Sequence, residues 1–188
     1  MKNIFYMVAS VIGIAWLLFL LTMLINYFIS SYKSRKKYKT PYVNTFKKDI
    51  NLFLKNIKLS PDTTLCDLWC GDAKWLRNIS KKNKIRKADG YDINHFAITR
   101  WRIKNKRYKQ NHINLYHQDL FSVNLTQYNT IYLYLFPHMM EKLEKHLQKK
   151  AKKGTKIIVN TFPFPNWKPT NSIKNADGKQ KLYIYTIH

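Results

Sequence analysis

The sequence predicts an α/β fold, a three-layer sandwich around a mainly parallel sheet, with one transmembrane helix in front of it. Three observations carry that prediction. The run from Ile4 to Tyr32 is strongly apolar and holds no charged residue. Behind it, short β-favouring runs alternate with amphipathic helical segments, the pattern of βαβ units. Most complete is Thr63 to Ile93, TTLCDLWCGDAKWLRNISKKNKIRKADGYDI, which reads as strand, tight turn, helix and second strand.

The apolar run is long enough to span a bilayer, which takes about 20 helical residues. Aromatics stand near both its ends, Phe5 and Tyr6 then Tyr27 and Phe28, as interfacial belts do. A cleaved signal would have an apolar core of about 7–15 residues and a small-x-small site after it; neither holds here. Residues 1–32 therefore read as an anchor, and 33–43 as a basic juxtamembrane linker, KSRKKYKTPYV. Only Lys2 stands on the other side, so the positive-inside rule puts residues 44–188 on the cytoplasmic or matrix-equivalent face. Each basic residue near an anionic leaflet adds about 1 kcal/mol of attraction, so the bilayer itself is an expected partner.

The elements follow in order. Asn44 or Thr45 can cap a helix reaching about Lys58, with Phe46, Ile50, Phe53, Leu54 and Ile57 on one face. Thr64–Leu68 is the first strand, Lys74–Lys82 a helix, and a second strand ends at Gly90-Tyr91-Asp92-Ile93. Asn94 can cap a helix from Phe96 to about Lys106. Ile113–His117, Tyr128–Phe136 and Thr155–Phe162 read as the next three strands, with a helix from Met139 to Lys152 between the last two. The fourth is almost continuously apolar, as a buried parallel strand should be. A proline-rich loop, a turn at Asn175–Gly178 and a strand over Lys181–Ile187 close the chain.

Composition narrows the functions. A net charge of +24 over 188 residues implies attraction to anionic surfaces, lipid headgroups or nucleic acid, though drift toward lysine-rich coding gives the same bias. Two cysteines, Cys66 and Cys70, are too few for a disulfide framework, and no metal-ligand spacing accompanies them. Against this scarcity of acids, Asp67 and Asp92 both close strands. In open α/β sheets ligands lie over the carboxyl ends of strands, and a carboxylate closing the second strand can accept both hydroxyls of a ribose.

Several motifs resemble one family, and their order is collinear with it. Pro41-Tyr42-Val43-x-Thr45, Asp67-Leu68-Trp69-Cys70-Gly71-Asp72-Ala73, Gly90-Tyr91-Asp92-Ile93-Asn94, Asp119-Leu120-Phe121, Phe136-Pro137-His138-Met139-Met140 and, most specific, Phe162-Pro163-Phe164-Pro165-Asn166-Trp167-Lys168-Pro169 carry the likeness. The soluble part is similar to class I S-adenosylmethionine-dependent methyltransferases. Among them it resembles the membrane-anchored lysine methyltransferases of the ATP synthase c-subunit and adenine nucleotide translocase type, with their prokaryotic relatives.

The resemblance implies a Rossmann-like methyltransferase sandwich over residues 44–188 with S-adenosyl-L-methionine as cofactor. It implies a protein-lysine N-methyltransferase whose substrate is a membrane protein with an accessible lysine, the ATP synthase c-subunit being one such. It places Asp67, Trp69 and Gly71 by the methionine part of the cofactor, Asp92, Ile93 and Asn94 at the ribose, and Asp119 and Leu120 at the adenine. Tyr42 and Thr45 would close over the cofactor, and Tyr134, Phe136, Pro137 and Trp167 would form the acceptor channel. Trp69, Ala73 and Leu135 stand where the family has glycine, and the Trp69 side chain could turn into the sheet or fill the methionine pocket. Two other readings stay open: a non-catalytic interaction module at the membrane, and an RNA-binding or RNA-methylating domain.

Overall fold

The computed structural model describes residues 2–40, 43, 45–100, 112–179 and 181–188. Contacts divide the chain into two compact units, residues 1–41 and 42–188. The first is one helix, α1 (Lys2–Tyr38). Its stretch Tyr6–Ile29, 24 residues of mean hydropathy 2.6, is long and apolar enough to cross a membrane, and none of it is buried in the protein. The basic stretch expected as a linker continues this helix to Tyr38. It holds no helix breaker; the helix stops where Lys39 turns left-handed (φ 51), two residues before Pro41.

The second unit is built on seven strands: β1 (Thr64–Asp67), β2 (Lys87–Asp92), β3 (Ile113–His117), β4 (Thr130–Leu133), β5 (Lys156–Asn160), β6 (Asn171–Lys174) and β7 (Lys181–Thr186). Their order across the sheet is β3-β2-β1-β4-β5-β7-β6. The first five pair in parallel, and β7 is antiparallel to both neighbours. From β1 the chain steps outward to β3, then returns to β4 and steps the other way. Right-handed crossovers therefore put the β1–β3 helices on one face and the β4–β5 helix on the other, and open a crevice at the carboxyl ends of β1 and β4.

The helices are α2 (Lys47–Asn56), α3 (Lys74–Lys82), α4 (described from 95 to 100) and α5 (Pro137–Lys150). The rest of the helix expected to reach Lys106 lies outside the described residues. On one face, α2, α3 and the sheet meet in three rings. Trp75 stacks on Tyr132 of β4 with centroids 3.5 Å apart, and Phe53 meets Trp75 edge-on at 5.0 Å and Tyr132 at 6.1 Å. All three are essentially buried.

Four expectations are corrected. Phe46 is the N-cap of α2, not a member of its buried face, and stands 53% exposed. The cap bond comes from Asp49, whose Oδ2 accepts the Phe46 N–H at 3.3 Å. β4 is shorter than the apolar run from Tyr128 to Phe136, because Tyr128 closes a 3₁₀ turn (Leu125–Gln127) before it and residues 134–136 lead out to α5. That helix begins at Pro137 itself, since proline fits the first helical position. Finally, β6 is an edge strand whose residues Asn171, Ser172 and Lys174 are exposed, so no apolar alternation marks it in the sequence.

Trp75→Ala should cost about 3–5 kcal/mol, the range for emptying a large aromatic site. At about 2–4 °C per kcal/mol for a chain of this size, the thermal midpoint of the full-length protein in detergent should fall by about 10 °C. A change under about 3 °C would show that the three-ring contact does not hold the helices to the sheet.

Candidate functional site

The crevice is formed by the turn between β1 and α3. Asp67 ends β1 buried, and its Oδ1 accepts the Trp69 N–H at 3.2 Å. Two bonds tie the turn to β2: Cys70 N–H to the Tyr91 carbonyl at 3.0 Å, and Gly71 N–H to Asp92 Oδ2 at 2.8 Å. Glycine is needed at position 90 for this approach. A Cβ there would collide with the Leu115 side chain and lie 2.8 Å from both Cβ and Sγ of Cys70. Gly71 and Ala73 both take left-handed backbone, φ 53 and φ 54. Ala73 does so as the N-cap of α3, at a cost of roughly 1–2 kcal/mol that glycine would avoid.

Asp92 is the hub. Its Oδ1 accepts the Asn94 N–H at 2.7 Å, so each carboxylate oxygen holds one backbone N–H and keeps a second lone pair. Asn94 Oδ1 in turn accepts Ala97 N–H at 3.2 Å and caps α4, the role its sequence position suggests. Ile93 is half-buried, and its carbonyl pairs with His117 Nε2 at 3.0 Å. Beyond β3, Gln118 N–H bonds the Asp92 carbonyl at 3.1 Å, and Asp119 Oδ1 accepts Phe121 N–H at 3.0 Å with Leu120 buried beside it. Asp67, Asp92 and Asp119 thus follow the ends of three adjacent strands. Thr45 is half-buried and its carbonyl accepts Lys74 Nζ at 3.3 Å, which brings the segment before α2 to the same turn. Trp69 is half-buried; Tyr42 lies outside the described residues.

Burial shapes the electrostatics. It pushes the Asp67 carboxyl up to about 7, against the Trp69 N–H and with some help from the Asp92 charge. Burial likewise lifts Asp92 to about 6, opposed by the Asn94 and Gly71 N–H groups. The thiols of Cys66 and Cys70 are driven well above their ordinary range by burial, which leaves neither as a nucleophile. Among the described residues no group of His, Cys, Asp and Glu could hold a metal ion.

On the other side of the crevice, Tyr134 and Phe136 follow β4 half-buried, and Pro137 is exposed. Phe136 stacks with Phe162 at 6.4 Å and with His138 at 6.2 Å. Trp167 is half-buried; it stacks on Phe164 at 5.6 Å and tilts against Tyr185 at 5.0 Å. Leu135, at a position where the resembling family has glycine, is buried. Sequence reasoning missed the polar residues beneath. Asn160 Nδ2 donates to the Tyr132 hydroxyl at 3.2 Å, and Thr161 Oγ1 donates to Asn160 Oδ1 at 3.1 Å. Thr161 has φ 71, and Phe162 N–H closes onto the Asn160 carbonyl at 2.9 Å, a γ-turn of the rare positive-φ kind. A β-branched residue held there is strained backbone, which collects at ligand sites. Only the polar pair Asn-Thr before Phe-Pro could have hinted at it.

Residues 67–171 match the profile of the ANTKMT methyltransferase domain family, more than half of the chain. The chain belongs to that family. Its relatives include a protein-lysine N-methyltransferase of Saccharolobus islandicus, 29% identical over 151 residues that cover 78% of this chain and 93% of that one. The ATP synthase c-subunit lysine N-methyltransferase of Xenopus laevis is 28% identical over 81% of this chain, which spans only 66% of that relative's length. Among solved structures, an RNA methyltransferase from Salinibacter ruber in complex with S-adenosyl-L-homocysteine superimposes with a TM-score of 0.70 at 22% identity, over 77% of this chain and 94% of that one. The Rossmann-like methyltransferase fold is thereby shown.

The cofactor of this ANTKMT-domain methyltransferase is S-adenosyl-L-methionine. The residues present fit it: a buried carboxylate whose two oxygens each keep a lone pair suits a vicinal diol, and the turn beneath it presents backbone rather than side chain at Gly71. Ionising these carboxyls without a ligand opposes folding. Both fold with a carboxyl pKa above the unfolded value, so the folded state holds more protons between about pH 4 and 7, and stability falls as pH rises through about 6 and 7. Urea unfolding of the ligand-free protein should show a loss on the order of a few kcal/mol between pH 5 and pH 8. Asp67→Asn and Asp92→Asn should each flatten that slope; an unchanged slope in both would refute the assignment.

Proposed function

We propose that this ANTKMT-domain methyltransferase is a membrane-anchored protein-lysine N-methyltransferase acting on a lysine of a membrane protein. The observation that carries it is the acceptor side of the crevice: half-buried aromatic rings, Tyr134, Phe136 and Phe162, with no metal-ligand group among the described residues. The names of the relatives, protein-lysine N-methyltransferase and ATP synthase c-subunit lysine N-methyltransferase, support it.

When bound, the cofactor supplies a methyl group already made electrophilic by a sulfonium. What remains for the protein is to bind, orient and exclude water. In this reading Asp92 holds the ribose hydroxyls, with Ile93 and Asn94 shaping that end, and Asp119 and Leu120 hold the adenine. Asp67, Trp69 and Gly71 hold the methionine part, and Thr45 with Tyr42 covers the cofactor. Tyr134, Phe136, Pro137 and Phe162 line the acceptor channel, where apolar surroundings lower the amine's pKa and ring faces attract its methylated cation. Trp167, stacked on Phe164, joins the other wall of that channel, and Asn166 N–H bonded to the buried Glu144 at 3.1 Å fixes its loop to α5. The helix α1 anchors the chain once through the bilayer, with its basic end and residues 42–188 on the cytoplasmic or matrix-equivalent side.

Full-length protein in detergent, given tritiated S-adenosylmethionine and a membrane fraction, should label lysines of membrane proteins. Phe162→Ala should lower that rate about tenfold, worth roughly 1.4 kcal/mol of barrier, with S-adenosylhomocysteine affinity within about twofold of native. Asp92→Ala should weaken cofactor binding about a hundredfold through lost charge-assisted hydrogen bonds. Label confined to nucleic acid would overturn the lysine reading. Binding absent in the native protein but restored in Trp69→Gly would mean a pocket closed by that indole, and the non-catalytic module would replace the enzyme.

A further inference from the structure

Away from the crevice, the second unit carries a hollow with donors left to give. Two 3₁₀ turns, Leu120–Ser122 and Leu125–Gln127, stand against the later half of α5. Residues 121–126, His146 and Lys150 frame a space of about 330 Å³ between them. That is the size of a small-ligand pocket. His146 lies nine residues beyond Pro137, so about 14 Å of helix separates it from the acceptor side.

The turns spend their own donors. Thr126 N–H and Oγ1–H both go to Asn124 Oδ1, at 3.2 and 2.8 Å, and the Ser122 hydroxyl goes to the Asp119 carbonyl at 2.7 Å. His146 differs. Its ring meets Phe121 edge-on at 5.2 Å, and its Nε2 is buried without a hydrogen-bond partner. Burial first, then the Lys150 charge and more weakly that of Lys142, holds its pKa below the ordinary histidine range, against the Asp119 charge. A proton on Nε2 would be a buried donor with nothing to receive it. The neutral ring therefore carries its proton on Nδ1, as a donor for a ligand. Lys142 Nζ lies 4.5 Å from the centre of the Phe121 ring, and Lys150 lines the hollow with its side chain exposed. The acids of this region are engaged: Asp119 by the Phe121 N–H at 3.0 Å, Glu141 by Lys145 at 2.8 Å and Glu144 by the Asn166 N–H at 3.1 Å. None of the three lines the hollow.

We propose that this hollow is a second ligand site, distinct from the cofactor crevice, that takes a phosphate group: His146 Nδ1–H and the Lys150 ammonium donate to its oxygens, and Lys142 adds charge. The competing role for Lys150 is to offset the carbonyl end of α5, as last-turn lysines do. That role needs neither a hollow nor a histidine with a donor to give. The site stands apart from the acceptor, so it holds whatever the acceptor is. Free phosphate esters and phospholipid headgroups share this chemistry, and the test separates them.

Full-length protein with ring-labelled histidine, in uncharged detergent and loaded with S-adenosylhomocysteine to fill the crevice, is titrated at neutral pH with sodium phosphate. Sodium chloride at matched ionic strength is the comparison. The His146 resonance, assigned by its loss in H146Q, is followed by NMR. Phosphate should shift it saturably and chloride should not, because an anion held beside the ring raises its pKa. K150Q should weaken phosphate affinity about tenfold, the order of one charge-assisted hydrogen bond. K174Q, which removes the same charge from the edge strand β6, should leave it within about twofold. Nanodiscs containing phosphatidic acid, set against phosphatidylcholine alone with no phosphate added, identify the source. A shift there assigns the lipid headgroup and its absence a free ester; both keep the site. No saturable shift with phosphate, a shift that chloride reproduces, or equal weakening in K150Q and K174Q overturns the proposal.

Discussion

The site depends on one buried carboxylate that holds two backbone N–H groups from different elements. Asp92 takes Gly71 from the β1–α3 turn and Asn94 from the start of α4, so a single side chain fixes both loops at the edge of the sheet. A buried charge is costly unless hydrogen-bonded, and these two bonds, with lesser help from His117 and the Ile93 N–H, keep Asp92's pKa near 6 rather than higher. The same bonds leave it ready for two more donors. In the proposed ribose assignment, structure and ligand draw on different lone pairs of the same oxygens.

The turn manages with few glycines. Gly71 takes a left-handed conformation and frees its N–H for Asp92, so it answers to geometry that other residues meet only with strain. Ala73 accepts that strain at the helix start. Its methyl group is fully buried, and burying a CH₂-sized group returns about 0.8 kcal/mol against a left-handed cost of roughly 1–2 kcal/mol. The two nearly balance, which explains how a family position usually held by glycine tolerates alanine here. Gly90 has no such latitude, because the obstruction is the Cys70 turn itself.

What the sequence made legible were features set by local pattern. The strand–turn–helix–strand unit, the acids at strand ends, and Asn94 as a cap all depend on neighbours within a few residues. The features that escaped depend on distant partners. Asp49 looks like one more polar residue on an amphipathic helix, yet it is buried, which only the packing of α2 on the sheet decides. Thr161 is strained because Thr161 N–H must reach the Lys181 carbonyl at 2.9 Å while Phe162 turns back to Phe136. Trp167 stands out between prolines, but its contacts with Phe164 and Tyr185 could not be read from spacing, because Tyr185 lies in the closing strand.

Charge separates the two sides of this crevice from the rest of the surface. Where lysine drift alone shapes a chain, acids should be lost from every place equally. Here half of the ten acids survive in the core, where each ionised group costs several kcal/mol unless bonded. Asp89 and Glu144 are retained by partners that hold the fold together. Asp67 and Asp92 instead close β1 and β2 at the edge of the crevice, where the proposed reading seats a sulfonium. A sulfonium and a protonated lysine would repel one another by about 1 kcal/mol at 4 Å in water and about 4 kcal/mol at a protein-like dielectric, which favours loss of the lysine's proton before methyl transfer. A strongly basic exterior around such an interior disfavours loose association of lysine-rich chains at the surface.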